Sequence, residues 1–297
     1  MWLLAALLVA DSTRAFTVPL SKQEYVAVTI TGAGPAVVMI PGLFGSAYGY
    51  RRLIPLLTDA GYTAIVIEPL GIGGSARPRY ADYSLTAQAE RVAAVLDTLG
   101  IRNVMMMGHA VSTSIALRLA LRRPDLVAGV VALDGGPAEA AATKGFRRAM
   151  TYAPLLRLFG GKGLVRKKVH RYMIGASADT SWVTPVVVAG YTADAARDLD
   201  KTLDAFEGMA EAREPQKLIP ALGRIRCPVR LVVGGVPHDG AVPPGEITLM
   251  RQRLPLFAVD SLPGVGHFAV EERPAAVLAS VQRMRAQRAL LLLGRTP

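Results

Sequence analysis

Short runs of consecutive apolar residues recur along the chain, separated by turn residues and by longer segments with helical spacing. These runs predict strands at 35–40, 63–68, 103–107, 127–133 and 229–233, an extended stretch at 25–31 and a weaker last strand at 257–262. Continuous apolar runs are typical of strands that are covered on both faces, as in a parallel sheet between two layers of helices.

The segments between the runs predict helices. Residues 87–99 carry apolar side chains on one face and end at Gly100, a natural helix stop. Residues 112–123 and 274–287 have the same character. Because strands and helices alternate, the pattern predicts a doubly wound, mostly parallel α/β sheet.

One long segment interrupts this alternation between the strand ending near Asp134 and the strand at 229–233. Helix-like pieces fill it at 141–158, 164–173 and 193–213. We interpret residues 138–218 as a helical cap inserted into a core formed by 21–137 and 219–297.

The N-terminus is apolar and precedes the first extended stretch. Residues 1–10 contain no charge, and a small-residue site ends at Ala15. Residues 1–20 are therefore interpreted either as a secretory signal or as a hydrophobic helix packed on the surface. The first alternative implies a secreted or periplasmic protein if residues 1–15 are a signal, and the second a cytoplasmic one. Ten residues are too few to span a bilayer, which takes about 20, so membrane contact is expected only through this segment.

The composition narrows the function classes. The chain has 297 residues, 51% hydrophobic and 19% charged, which suits a large buried core and argues against disorder. The net charge of +11 would suit an anionic partner, but the basic residues are spread along helices and no recognition motif accompanies them. We therefore expect no nucleic-acid partner. The single cysteine, Cys227, excludes an internal disulfide.

The segment Gly108-His109-Ala110-Val111-Ser112 lies directly between a predicted strand and a predicted helix. It has the frame of the nucleophile motif G-x-S-x-G, with alanine at the middle position and serine at the last. Such a tight turn needs small residues on both sides, and Gly108 and Ser112 meet that demand.

With this motif the chain resembles the α/β-hydrolase fold family over residues 25–285. The loop 41–46 resembles the family's H-G-x-x-G-S loop, which implies an oxyanion hole formed by the backbone N–H groups of Leu43 and Val111. The loop 68–75 resembles a structural D-x-P-G-x-G-x-S loop.

The resemblance also implies an acid and a base. Gly264-Val265-Gly266-His267 resembles the family's histidine motif, and the loop 234–243 resembles the acid loop, with Asp239 at the acid position. Asp134, at another strand end, is the rival acid. The order nucleophile, acid, histidine is the one expected for this fold.

The implied chemistry is acyl transfer, in which a serine at position 110 attacks an ester carbonyl, His267 takes its proton and Asp239 orients the imidazole. Alanine has no hydroxyl, and Ser112 is expected to point elsewhere. Aspartate at 110 would have indicated a dehalogenase or an epoxide hydrolase. Two explanations remain, an engineered serine-to-alanine change and a natural pseudoenzyme. The retained acid, histidine and oxyanion loop favour the engineered change.

The expected partner is a small ester or another apolar carbonyl compound. The predicted pocket above Ala110 is lined by Phe44, His109, Met150, Tyr152, Leu155 and Phe159. Two further functions stay open: a non-catalytic binder of a small apolar ligand, and a related lyase or carbon–carbon hydrolase. We expect no metal or organic cofactor, because the sequence has no paired His/Cys spacing and Gly71–Gly74 lacks the context of a dinucleotide loop.

Overall fold

A computed structural model describes residues 13–155, 157 and 161–294. Eight strands form one sheet in the order β1-β2-β4-β3-β5-β6-β7-β8. The strands are β1 (Arg14–Pro19), β2 (Tyr25–Thr31), β3 (Ala36–Ile40), β4 (Thr63–Glu68), β5 (Val104–His109), β6 (Val127–Leu133), β7 (Val229–Gly234) and β8 (Phe257–Leu262). Pairing is antiparallel from β1 through β2 to β4 and parallel across the rest of the sheet. The predicted mostly parallel α/β sheet is confirmed.

Eleven helices are described: α1 (Ile54–Asp59), α2 (Leu85–Thr98), α3 (Ser112–Arg122), α4 (Lys144–Met150), α5 (Ala153–Leu155), α6 (Gly161–Gly175), α7 (Pro185–Arg197), α8 (Leu199–Glu211), α9 (Pro244–Arg253), α10 (Ala269–Glu272) and α11 (Pro274–Leu292). Two short 3₁₀ helices lie at Ala47–Tyr50 and Ile219–Arg224. Within the described residues, no helix has the length and apolar character needed to cross a membrane.

Both faces of the sheet are buried, which explains the continuous apolar runs. On β4, Ile65 and Ile67 belong to one hydrophobic cluster, whereas Ala64 and Val66 belong to another on the opposite face. Successive side chains of a strand point to opposite faces. Every position of a central strand must therefore be apolar when helices cover both sides.

The N-terminal strand was not predicted. β1 begins at Arg14 and pairs with β2, so it lies within the segment interpreted as a signal or surface helix. Cleavage after Ala15 would remove the first two residues of this strand. Residues 1–12, which carry the apolar run, lie outside the described part of the chain.

Helices α4 to α8 lie between β6 and β7, in the segment interpreted as a cap. Where one helix was predicted at 193–213, the structure has α7 and α8, separated at Asp198. The side chain of Asp198 accepts a hydrogen bond from the N–H of Lys201 and caps α8. Thr184 caps α7 in the same way, so the apolar residues after it are helical.

Candidate active site

The turn after β5 holds Ala110 in a left-handed conformation with φ of +52°. A non-glycine residue in this region costs about 1–2 kcal/mol, and such strain tends to occur at functional positions. The N–H of Ala110 donates to the carbonyl of Leu133 at 2.9 Å, which fixes the turn against the end of β6. Ala110 faces a large cavity. The geometry is that of a nucleophile elbow whose middle side chain ends at Cβ.

Two glycines make room for this elbow. A Cβ on Gly108 would lie 2.5 Å from the carbonyl oxygen of Ser112, and one on Gly135 would lie 2.1 Å from the carbonyl oxygen of Ala110. Neither oxygen belongs to a flexible side chain that could move aside. The turn after β5 is therefore packed directly against the backbone that follows β6.

Ser112 points away from the cavity, as expected. Its buried hydroxyl donates to the carbonyl oxygen of Pro41 at 2.6 Å. This bond connects the first turn of α3 to the loop after β3. Ser112 therefore has a structural partner and does not replace the missing nucleophile.

Replacing Ser112 tests that structural role. We expect Ser112→Ala to lower the free energy of unfolding by about 1–3 kcal/mol, because it leaves a buried carbonyl without its donor. Thr98→Ala is the matched control, since Thr98 makes a similar bond to the carbonyl of Ala94 at an exposed position. Urea denaturation of both variants measures the difference. Equal stability of the two variants would contradict the assignment.

The backbone N–H groups of Leu43 and Val111 are candidates for binding an oxyanion. Both residues line the cavity beside Ala110. Neither N–H donates a hydrogen bond to another residue in the described part of the chain. Val111 precedes α3, where N–H groups lack intrahelical partners and the helix dipole favours negative charge.

His267 lies in the loop after β8 and is held from several sides. Its N–H donates to the carbonyl of Ala176 at 2.7 Å, and its own carbonyl accepts from Nε2 of His109 at 3.1 Å. Its Nδ1 lies 2.6 Å from Oδ2 of Asp134. The side chain is 4% exposed and lines the cavity. The ring is thus oriented with Nδ1 toward a carboxylate, and Nε2 has no hydrogen-bond partner among the described residues.

The expected partnership of His267 with Asp239 is wrong; Asp134, the rival acid, takes that place. Asp239 is exposed, and its N–H points to the carbonyl of Gly175 at 3.4 Å. The loop after β7 instead turns the preceding residue inward: Nε2 of His238 also lies 2.6 Å from Oδ2 of Asp134. Adjacent residues on this loop face opposite directions, so Asp239 points outward.

Asp134 is therefore the centre of the polar cluster. It directly follows β6, has φ of +45° and is 2% exposed at its side chain. Burial raises the pKa of Asp134, but the hydrogen bonds and charges of His267 and His238 outweigh burial and bring its pKa below the ordinary value. Asp134 is thus a carboxylate at neutral pH.

The remaining histidine of the site, His109, is neutral. Burial, followed by repulsion from His267, lowers the pKa of His109 to about 3. Its ring centroid lies 4.6 Å from that of His267. A neutral His109 that donates Nε2–H to the carbonyl of His267 supports the loop without adding charge to the site.

Asp134, His238 and His267 also have the side-chain types that bind metals, and their donor atoms lie within 4.8 Å of one another. Both histidines, however, approach the same carboxylate oxygen at 2.6 Å. Two donors bound tetrahedrally to one zinc at about 2.0–2.1 Å would lie roughly 3.3 Å apart. The contacts fit hydrogen bonds better than they fit a shared ion.

The cavity above Ala110 has a volume of about 1050 Å³ and is mostly apolar. Of the predicted pocket residues, Phe44 and His109 line it. Met150 packs against the core and Tyr152 is 54% exposed, so neither faces the cavity. The side chain of Leu155 and all of Phe159 lie outside the described residues. Residues that the sequence analysis missed include Phe146, Val169, Met173, Tyr191 and Phe268.

Comparisons with known proteins point to the same fold. Residues 35–155 match the family model described as alpha/beta hydrolase fold. The chain is 26% identical to the uncharacterized hydrolase YugF of Bacillus subtilis (strain 168), over 81% of this chain and 86% of that protein.

Two solved structures share the fold at lower identity. The epoxide hydrolase CorEH has a TM-score of 0.77 and 18% identity, covering 93% of this chain and 99% of its own. A thermophilic esterase from Thermogutta terrifontis has a TM-score of 0.74 and 19% identity, covering 94% and 99%. Together with the elbow and the sheet order, these matches show that the chain has the α/β-hydrolase fold.

Proposed function

We propose that this chain is the scaffold of a carboxylic-ester hydrolase whose nucleophile position is occupied by Ala110. The observation that carries the proposal is the hydrogen bond between His267 Nδ1 and Asp134 Oδ2, at 2.6 Å. Beside it lie the N–H groups of Leu43 and Val111, which donate to no other residue in the described part of the chain. This is the arrangement that acyl transfer requires, apart from the hydroxyl.

With a serine at position 110, the reaction has two balanced steps. The hydroxyl oxygen bonds to the ester carbonyl carbon, its proton passes to Nε2 of His267, and the same proton leaves with the alcohol. Water then attacks the acyl-enzyme and gives a proton to His267, which passes it to the serine oxygen as the acid leaves. In each step the N–H groups of Leu43 and Val111 would stabilise the oxyanion, and Asp134 the imidazolium.

With alanine at position 110, no acyl-enzyme forms. His267 can still take a proton from a water molecule that attacks a bound ester directly. The oxyanion hole and binding alone leave roughly 10³–10⁴-fold catalysis over water in an enzyme that lacks a triad member. We therefore propose that the chain as it stands is at most weakly active.

The alanine at position 110 has two alternative explanations in this proposal. An engineered serine-to-alanine change accounts for the intact surroundings of the elbow, because every other part of the acyl-transfer site is in place. A natural pseudoenzyme that binds a small apolar ligand is the alternative, and the large cavity favours it. A lyase or carbon–carbon hydrolase would use the same site residues and is distinguished by its substrates.

A panel of p-nitrophenyl esters from acetate to dodecanoate, offered to the chain and to Ala110→Ser, tests the proposal. Turnover that depends on the serine supports an ester hydrolase. A folded Ala110→Ser variant that hydrolyses none of the esters would overturn it, and binding of the same esters without turnover would favour the ligand binder.

The wall of the cavity is expected to set the preference for acyl length. Val169 and Met173 lie one turn apart on α6 and line the cavity. In the Ala110→Ser background, we expect Met173→Trp to lower kcat/KM for dodecanoate at least tenfold relative to acetate, because the indole fills the space. Ile174→Trp is the matched control, since Ile174 is the next residue and is exposed. An equal effect of both changes would contradict the assignment of this wall.

A further inference from the structure

His238 has no role in the acyl-transfer scheme, yet it is buried against Asp134. Its side chain is 1% exposed, and its two ring nitrogens face two different acceptors. Nδ1 lies 2.7 Å from the carbonyl oxygen of Val236, and Nε2 lies 2.6 Å from Oδ2 of Asp134. His267 Nδ1 approaches the same Oδ2. One carboxylate oxygen of Asp134 is therefore in hydrogen-bond contact with two histidines.

The protons on His238 follow from these partners. A carbonyl oxygen only accepts hydrogen bonds, so Nδ1 of His238 carries a proton. The carboxylate oxygen of Asp134 also accepts, so Nε2 carries a proton as well. With both ring nitrogens protonated, His238 would be an imidazolium cation, and the cluster of His238, Asp134 and His267 would then have no net charge.

The other described titratable or charged groups around the cluster do not neutralise the carboxylate of Asp134. Burial, then Asp134 and Asp239, raises the pKa of Tyr172 to about 12, and His109 is neutral as described. Burial raises the pKa of Glu246, whose carboxylate packs against Gly136. Buried Glu272 accepts from the N–H groups of the loops around it. Among the described residues, His238 and His267 are the two histidines that contact Asp134, and no Lys or Arg does so.

We infer that His238 is a positioning residue of the catalytic acid: it holds Asp134 by a charged hydrogen bond and neutralises it, which makes His267 a weaker base. The inference rests on the proposed function. When His267 takes a proton during catalysis, the cluster becomes cationic, and repulsion from His238 opposes that step.

The test uses Ala110→Ser with two changes at His238. His238→Gln places an uncharged amide N–H where Nε2 stands and keeps a hydrogen bond to Asp134. His238→Asn keeps a donor toward the carbonyl of Val236 and loses the hydrogen bond to Asp134. We expect both variants to move the acidic half of the kcat/KM profile to higher pH by about one unit, because an imidazolium is gone. We expect only His238→Asn to lower the plateau as well, since it alone frees the carboxylate. A profile that does not move in His238→Gln would overturn the inference.

Nitrogen-15 NMR of the histidine rings tests the same inference without catalysis, in the chain that carries Ala110. The chain has four histidines, so the ring signals can be assigned by substitution. We expect one ring with both nitrogens protonated at pH 7.5, and its loss in His238→Gln. If every ring carries a single nitrogen proton, the inference fails. An inactive Ala110→Ser variant that shows the doubly protonated ring would instead count against the proposed function alone.

Discussion

Ala110→Ser is expected to turn the chain into an active esterase, with kcat/KM for p-nitrophenyl esters at least about 10⁴-fold higher than in the present chain. The added atom is one oxygen on a Cβ that already faces the cavity. The elbow already has the φ of +52° that the turn requires, so no backbone change is needed. His267, Asp134 and the two N–H donors are in place to use the hydroxyl.

The size of this gain follows from how a triad acts. In serine hydrolases the nucleophile and its base act as a unit, and removing the serine alone costs about as much as removing the whole triad, on the order of 10⁶ in kcat. Adding it back to an otherwise complete site should recover most of that factor.

Two controls keep the result interpretable. Ala110→Gly fits the same left-handed turn without a hydroxyl and should stay inactive. Addition of His267→Ala to Ala110→Ser should return turnover to the level of the starting chain. A burst of p-nitrophenol equal to the enzyme concentration would show the acyl-enzyme directly. Turnover that persists in the His267→Ala variant would mean that His267 is not the base.

The sequence predicted the fold well because the sheet is buried on both faces, so that each central strand is a continuous apolar run. β1 was missed because Arg14–Pro19 is an exposed edge strand whose side chains are mostly outside the core. Its partner β2 was recognised as an extended stretch. The apolar segment before β1 also directed the interpretation of this region toward a signal or a surface helix.

The elbow and its histidine could be located by local motifs, because a strained turn restricts residue types at fixed spacing. The acid could not be located in this way. Asp134 and Asp239 both follow parallel strands, at the same edge of one sheet, and each lies in a loop with two glycines. Which carboxylate meets His267 depends on the path of the loop after β7. That path is set by contacts with residues far along the chain, such as Gly175.

The cavity wall was the least predictable part. The sequence analysis placed the wall at residues 150–159, whereas the described wall includes residues of α6. Val169 and Met173 form a pair at i and i+4 on α6, which was the available signal. Val169 and Met173 line the cavity because α6 packs beside Tyr191 and Phe268, and the spacing along α6 does not determine that packing.

The choice between the two carboxylates has a direct test with a large expected effect. In the Ala110→Ser background, we expect Asp134→Asn to lower kcat by about 10⁴-fold, the loss found when the acid of a triad is replaced by its amide. The amide can donate to Nδ1 of His267, so that Nδ1 carries no proton. The single ring proton of His267 is then on Nε2, which faces the serine. This is the wrong tautomer for a base. Asp239→Asn is the matched control.

Asp239→Asn makes the same chemical change on the outward-facing residue of the loop after β7. Because Asp239 is exposed and has no hydrogen bond to His267 among the described residues, we expect its kcat to stay within about threefold of the parent variant. The same ester assay measures both. A large loss at Asp239 with little loss at Asp134 would restore the acid expected from the sequence motif. It would also mean that the loop after β7 rearranges when substrate binds, since Asp239 would have to replace His238 on the inner side.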